Sequence, residues 1–318
     1  MPAYAEGSLY FGTSVISARL LNDISAFAAT PYPVLLLGPT GSGKTALARE
    51  IHRRSPRSGG PFIACPLPGI PDELRHAELA GVRRGAFTGA LDDRVGAVEA
   101  AHNGTLFLDE IGYATVGSQQ TLLTALESGA VRRIGEVRDR AVNVRVVCAT
   151  SADLARMSEE GRFLAELYYR IECLTLRIPP LAERRQDILP LATRFLTEEF
   201  AALRRGYQPV LTDEAERSLR TAPWPGNIRQ LKSACRYVAT RLDSARAIEV
   251  EDLPVSVTEL MASTGESSER ARALAVLRRV DGNKAKAARL LGITRPQLYR
   301  LLQRGGSSAS DPSGIQPA

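Results

Sequence analysis

Eight consecutive residues, Gly38, Pro39, Thr40, Gly41, Ser42, Gly43, Lys44 and Thr45, fit the pattern G-x-x-x-x-G-K-[ST] completely. The pattern has a mechanism. Backbone N–H groups of a glycine-rich turn cradle phosphates at the start of a helix, an ammonium meets the β- and γ-phosphates, and a hydroxyl ligates Mg²⁺. Lys44 and Thr45 hold those last two positions. Further along, Thr105, Leu106, Phe107 and Leu108 run into Asp109 and Glu110. Carboxylates at the C-terminal end of a parallel strand lie beside a phosphate loop that leaves a neighbouring strand. Asp109 is then placed to hold the Mg²⁺ shell, and Glu110 to orient and deprotonate an attacking water. Each motif alone has a bland alternative, an ordinary glycine turn or surface acids closing a strand. Together they predict ATP and Mg²⁺ as the cofactors of an ATPase.

The flanking residues supply the elements that must position these groups. Val34, Leu35, Leu36 and Leu37 form a short apolar run consistent with a buried parallel strand, and a helical stretch over 45–54 follows the glycine loop. Between the two motifs lie Gly85, Ala86, Phe87, Thr88, Gly89 and Ala90. An apolar Phe87 among glycines and small residues makes a poor core segment and a good mobile loop, because glycine tolerates backbone states that other residues avoid. The reading is a nucleotide-driven α/β machine with an exposed contact tip.

A chain of 318 residues has room for two or three domains, and its 44% apolar and 24% charged content is ordinary for globular protein. No run approaches the roughly 18 apolar residues of a membrane span. The first ten residues lack the basic start and apolar centre of a secretory signal. These features predict a cytoplasmic protein with no membrane partner. Cys65, Cys148, Cys173 and Cys235 are isolated from one another, and His52, His76 and His102 pair with none of them. All seven read as structural, in a reducing compartment.

Charge is unevenly distributed. Residues 269–304 carry ten Lys/Arg against Glu269 and Asp281, a net +8 in a chain whose total is +6. Leu274, Leu277 and Val280 fall at helical spacing, the run Asp281-Gly282-Asn283 breaks that helix, Ala287, Ala288, Leu290 and Leu291 form a second, and Gly292 supplies a tight turn. Thr294 with Gln297 forms a capping box, and Pro296 sits where its missing N–H is harmless. The helix that follows, over 295–304, buries Leu298, Leu301 and Leu302; Pro296, Arg300 and Gln303 point away from that stripe, with Gln297, Tyr299 and Arg304 flanking. This is the pattern of a helix-turn-helix whose last helix enters a major groove, beginning at Arg295, with Lys284 and Lys286 at the phosphates. A plain three-helix interaction domain is the alternative.

Over residues 12–304 the chain resembles the bacterial enhancer-binding proteins, the NtrC-type AAA+ activators of sigma-54 RNA polymerase. The resemblance rests on the phosphate loop, the 85–90 loop, the run Gly104-Thr105-Leu106-Phe107-Leu108-Asp109-Glu110, the strand Val144-Arg145-Val146-Val147-Cys148-Ala149-Thr150, Leu167-Tyr168-Tyr169-Arg170, Trp224-Pro225-Gly226-Asn227-Ile228-Arg229 and the Fis-type basic segment. It implies an AAA+ P-loop core with an α-helical lid and a terminal helix-turn-helix. Thr150 would sense the γ-phosphate, Arg229 would reach the nucleotide of its own subunit, and Arg170 would enter the neighbouring subunit's site as an arginine finger. A homo-oligomer, a hexameric ring, is implied. Phe87 and Thr88 would touch the sigma-54 holoenzyme, and the 130–140 segment would relay nucleotide state to them. The bland reading of Arg170 and Arg229 is surface arginines on helices.

Three positions depart from the family pattern. Leu164 stands where a second interface arginine is usual, with Arg162 two residues away; Pro66 stands where an asparagine couples the glutamate to the contact loops; Ser151 stands where asparagine is common. Proline has neither a side-chain amide nor a backbone N–H. The departures imply slow, conditional or partner-dependent hydrolysis, and the alternative is a DNA-binding scaffold or heteromeric partner with weak ATPase. The expected domains are a nucleotide-binding core over 1–175, a helical lid over 176–255, a linker over 256–268, the DNA-binding helices over 269–304 and a disordered tail over 305–318. Some 33 residues precede the first core strand, too few for a receiver or ligand-sensing domain, so regulation is expected to come from a partner in trans, from expression level, or from nothing at all.

Overall fold

The computed structural model describes residues 12–86, 91–242, 244–255, 257, 276–277, 283–294 and 298. The chain divides into two compact units, Met1–Glu199 with Trp224–Cys235, and Phe200–Pro223 with Arg236–Ala318. In chain order the strands are β1 (Val34–Leu37), β2 (Phe62–Pro66), β3 (Gly81–Val82), β4 (Arg94–Val95), β5 (Thr105–Asp109), β6 (Ala130–Val131), β7 (Arg140–Ala141), β8 (Arg145–Thr150) and β9 (Leu174–Arg177). The helices are α1 (Val15–Ala28), α2 (Lys44–Arg54), α3 (Asp72–Ala80), α4 (Ala97–Ala100), α5 (Val116–Ser128), α6 (Leu154–Glu159), α7 (Ala165–Ile171), α8 (Ile188–Ala202), α9 (Asp213–Thr221), α10 (Asn227–Arg241) and Lys284–Leu290.

In the first unit five strands form one parallel sheet in the order β2-β5-β8-β1-β9. Parallel sheets need both faces covered, and the alternating side chains show how that is met. Leu35, Leu106, Leu108, Val146 and Cys148 face one core, closed by Leu79 of α3, Leu122 of α5 and Leu167 and Ile171 of α7. Their neighbours Val34, Leu36, Phe107, Val147 and Ala149 face the other, closed by Leu20 and Ile24 of α1 and Leu47, Ala48 and Ile51 of α2. The result is a three-layer α/β sandwich, the architecture the motifs called for.

Parallel register brings all the strand ends that carry chemistry to one edge. Leu37 is level with Thr150, Asp109 with Ala149, and Pro66 with Asp109. The loop after β1, the acids after β5 and the last residue of β8 are therefore neighbours, although they are far apart in sequence.

Two buried charged residues tie the periphery to this edge. Asp187, fully buried, accepts from the Thr13 and Ser14 amides at 2.6 Å each, from the Ser14 hydroxyl at 2.7 Å and from the Ser17 hydroxyl at 2.6 Å. Those groups form the N-terminal turn of α1, where unpaired donors collect. Arg184, also buried, donates to the Ser42 carbonyl at 3.1 Å and so braces the glycine loop from behind.

The second unit has small cores of its own. Thr212 caps α9, whose Ala215 and Leu219 are buried, and Phe200 meets Tyr207 edge-on at 5.6 Å. Ala287 and Ala288 of the helix Lys284–Leu290 pack with Leu298, and Gly292 turns the chain at φ +64°.

Replacing Asp187 with alanine strands four donors in a dry site. We expect a loss of about 3–4 kcal/mol of stability and a smaller loss for Asp187→Asn, read from the urea midpoint of fluorescence of Trp224, the chain's one tryptophan.

Candidate functional site

The glycine loop is held open by its surroundings. Gly41 and Gly43 have φ of +77° and +106°, and a Cβ on Gly41 would meet the Gly226 carbonyl at 2.3 Å. The loop's outer carbonyls are taken: the Asn227 amide donates to Thr40 at 3.0 Å and the Arg229 N–H to Gly41 at 3.2 Å. The Gly38 N–H is spent on the Thr150 carbonyl at 3.2 Å, which ties the loop to the sheet edge. Among the described residues the buried Ser42 hydroxyl has no partner.

A cleft of about 540 Å³ opens beside the loop, lined by Gly41, Lys44, Thr45, Asp109, Glu110 and Arg229 among others. Lys44 is 6% exposed; its Nζ lies 3.0 Å from Glu110 Oε1 and donates to the Gly38 carbonyl at 2.8 Å. Glu110 adopts the left-handed backbone state, φ +57°, uncommon outside glycine. Its other oxygen, Oε2, accepts from the Ser151 N–H at 2.8 Å and the Ser151 hydroxyl at 3.0 Å, with the Thr150 hydroxyl at 3.4 Å. Burial alone would raise the Glu110 carboxyl, but the Ser151 N–H and Lys44 outweigh it and hold the group below the usual carboxylate range. Asp109 goes the other way: burial, then the charge of Glu110, push it above its ordinary value against the pull of Lys44 and the Thr45 hydroxyl. Thr45 Oγ1 lies 3.4 Å from Asp109 Oδ2. An all-oxygen pair beside a phosphate cradle fits a hard divalent cation, which when bound would neutralise phosphate charge.

The sequence-predicted residues therefore separate into groups. Gly38 to Thr45, Asp109, Glu110, Thr150 and Arg229 meet at one edge of the first unit. Arg170 does not line this cleft; it is exposed in the last turn of α7 with no ion pair among the described residues. Leu164 is the residue before α7 and is half-buried against the core, while Arg162 is exposed and bound to Glu160. Pro66 ends β2 and lines the cleft with neither an N–H nor a polar side chain to offer.

Of the 85–90 loop, Gly85 and Ala86 are described, and Phe87, Thr88, Gly89 and Ala90 lie outside the described residues. The base of that loop is stitched to the hairpin of β6 and β7. Arg83 N–H donates to the Ile134 carbonyl and Ile134 N–H to Gly81, both at 2.9 Å, and Ala86 packs so closely on Gly135 that a Cβ there would lie 2.5 Å away. Glu99 binds Arg133 of the hairpin through two contacts at 2.9 Å. Lys284 and Lys286 are exposed on their helix; Arg295, Pro296, Gln297, Tyr299, Arg300, Gln303 and Arg304 lie outside the described residues.

Two residues to which the sequence assigned no role brace the elements around the site. Gln119 of α5, fully buried, accepts from the Leu164 N–H at 2.7 Å and donates to the Ala114 carbonyl at 2.8 Å and the Arg162 carbonyl at 3.3 Å, fixing where α7 starts. Asn227, in the left-handed state at φ +52°, joins the loop to Leu181, whose N–H it accepts at 2.8 Å. Neither belongs to a periodic pattern; an asparagine after glycine, able to adopt positive φ, was the one available sign.

Parallel sheet, phosphate loop and strand-end acids define a P-loop nucleotide-binding core of the AAA+ type. Residues 10–177 match the sigma-54 interaction domain, residues 182–270 the AAA+ ATPase lid domain, and residues 266–305 the Fis family of bacterial regulatory proteins. The chain belongs to the sigma-54 interaction family. It is 38% identical over 95% of its length to the nitric oxide reductase transcription regulator NorR1 of Cupriavidus necator, 65% of which it spans. It is 36% identical to the transcriptional regulatory protein GlrR of Escherichia coli, covering 94% of this chain and 68% of that one. The chain thus spans about two thirds of the length of these relatives. Among solved structures, NtrX of Brucella abortus in complex with ATP is similar, with TM-score 0.74 and 28% identity over 93% of this chain and 69% of that one.

Lys44→Ala removes the cation that a phosphate would meet and is expected to weaken ATP binding about tenfold or more. Glu110→Gln keeps the cleft's shape, so it is expected to leave affinity within about threefold while hydrolysis is lost. Fluorescent-nucleotide titration and phosphate release check the two.

Proposed function

We propose that this chain is an ATP-driven activator of transcription that binds upstream enhancer DNA and remodels the closed complex of sigma-54 RNA polymerase in the cytoplasm. The observation that carries the reading is the Lys44–Glu110 contact of 3.0 Å: it brings the phosphate-loop cation and the candidate base into one cleft with Thr45 and Asp109. The family adds the partner, and the Brucella protein's ATP and ADP complexes support the nucleotide.

In this reading Thr45 and Asp109 hold Mg²⁺, Lys44 meets the β/γ-phosphates, Thr150 reads the γ-phosphate, Arg229 reaches over the nucleotide, and Glu110 orients and deprotonates the water. Arg170 serves a neighbouring subunit in a hexameric ring, consistent with its exposed place on α7 outside its own cleft. In this reading the core is 1–175, the lid 176–255, the linker 256–268, the DNA-binding helices 269–304 and the tail 305–318. Phe87 and Thr88 form the tip that meets sigma-54, and the stitched base of their loop supports transmission from the β6–β7 hairpin. A second reading, a DNA-binding member of a heteromeric ring with weak hydrolysis, is favoured by Pro66 in the cleft and by Leu164, which packs inward and leaves Arg162 committed to Glu160.

ATP turnover by purified protein, with and without enhancer DNA, separates the two readings. Thr88→Ala or Phe87→Ala is expected to abolish promoter opening while ATP turnover stays within about twofold of wild type, because in this reading neither residue takes part in nucleotide chemistry. Loss of both activities would sink the tip assignment.

For DNA, Arg300→Ala is expected to cost about 1–3 kcal/mol at the specific site and to relax its sequence preference. Lys284→Ala or Lys286→Ala is expected to weaken all DNA alike and to make the salt slope shallower by roughly one unit. Specific binding by a protein ending at residue 268 would contradict this placement.

A further inference from the structure

Both oxygens of Glu110 are engaged, and by different elements. Oε1 faces Lys44 on α2; Oε2 faces Ser151, just past the end of β8. The strand on the other side of β5 offers nothing, since the residue level with Asp109 there is Pro66, without N–H or polar side chain. A phosphate that drew the Lys44 ammonium away from Oε1 would leave Glu110 the contacts from the 150–151 corner. Two of these are donors from one residue, which fix a carboxylate in direction as well as in place. Ser151 also opens the turn into α6: the Asp153 side chain accepts from the Arg156 N–H at 3.1 Å to cap it. From α6 the chain leads through Arg162 and Leu164 into α7, which carries Arg170.

We propose that Ser151 is the positioning residue for Glu110 in this chain, holding the carboxylate in its water-activating direction from the β8–α6 corner and so linking it to the segment that ends in Arg170. The inference rests on the proposed ATPase reading. In that reading the base is oriented from the strand that carries Thr150, in a chain where β2 contributes a proline. Nucleotide affinity does not depend on the Ser151 hydroxyl, because that hydroxyl is spent on Glu110.

The test compares Ser151→Ala, Ser151→Thr and Glu110→Gln in the full chain, each measured for ATP turnover, for binding of a fluorescent ADP in EDTA, and for melting temperature. The expected result for Ser151→Ala is a roughly ten- to hundredfold fall in kcat, on the order expected for one charge-assisted hydrogen bond, with KM, ADP affinity and melting temperature unchanged. Ser151→Thr, which keeps the hydroxyl, is expected to recover most of kcat. In a Glu110→Gln background, adding Ser151→Ala is expected to change the residual rate less than twofold, since Ser151 acts only through Glu110. An unchanged kcat in Ser151→Ala overturns the proposal while leaving the ATPase reading intact. So does a fall in kcat matched by lost ADP binding or melting temperature, which marks a structural role. Absence of turnover in the wild type, with ADP bound, removes the ATPase reading and this proposal together.

Discussion

One ammonium group stands at the centre of this molecule. Lys44, almost entirely dry, divides its three protons among the Gly38 and Pro39 carbonyls and the Glu110 carboxylate. In a low-dielectric cleft a buried cation without partners is costly, and so is a buried pair of acids. Asp109 and Glu110 are adjacent in sequence and share this edge, and Lys44 offsets part of their repulsion. In the proposed reading a bound triphosphate would compete for the same ammonium and so for the contacts of Glu110.

The contact exists only because the sheet is parallel and in register. Lys44 follows β1 and Glu110 follows β5, with β8 between them; Leu37 lies level with Thr150 and Asp109 with Ala149. A slip of one residue would exchange the side chains that a strand presents to the two cores. The two alternating cores on the faces of the sheet therefore hold the chemistry in place. Arg184 and Asp187 extend the same frame to the glycine loop and the start of α1.

How much of this the sequence revealed depended on the range of the interaction. The glycine loop and the strand before it are contiguous, so their pattern was complete in eight residues, and the apolar runs ending at Leu37 and Leu108 became β1 and β5. Thr150, Arg170 and Arg229 have no local pattern, and the family resemblance singled them out. Asp187, whose partners lie 170 to 174 residues away, and Gln119, bonded across 43 to 45 residues, are ordinary polar residues until the fold assembles them. The same holds for Ser151, which as a sequence position was a departure from the family and in the structure supplies two donors to Glu110. Leu164 shows the converse: at that position the core and Gln119 claim the residue, and its backbone sets the start of α7.

The cleft holds the phosphate loop and the acids but not Arg170, and in the proposed reading catalysis therefore needs a second copy of the chain. Mixing is the most direct test of that claim. Lys44→Ala subunits keep Arg170 but cannot use nucleotide; Arg170→Ala subunits bind nucleotide but lack the finger. Each alone should turn over little ATP, and a one-to-one mixture should recover about a quarter of the wild-type rate, the share of random neighbours that join an intact cleft to an intact finger. A mixture no more active than its components would place Arg170 outside the neighbouring site and contradict the account.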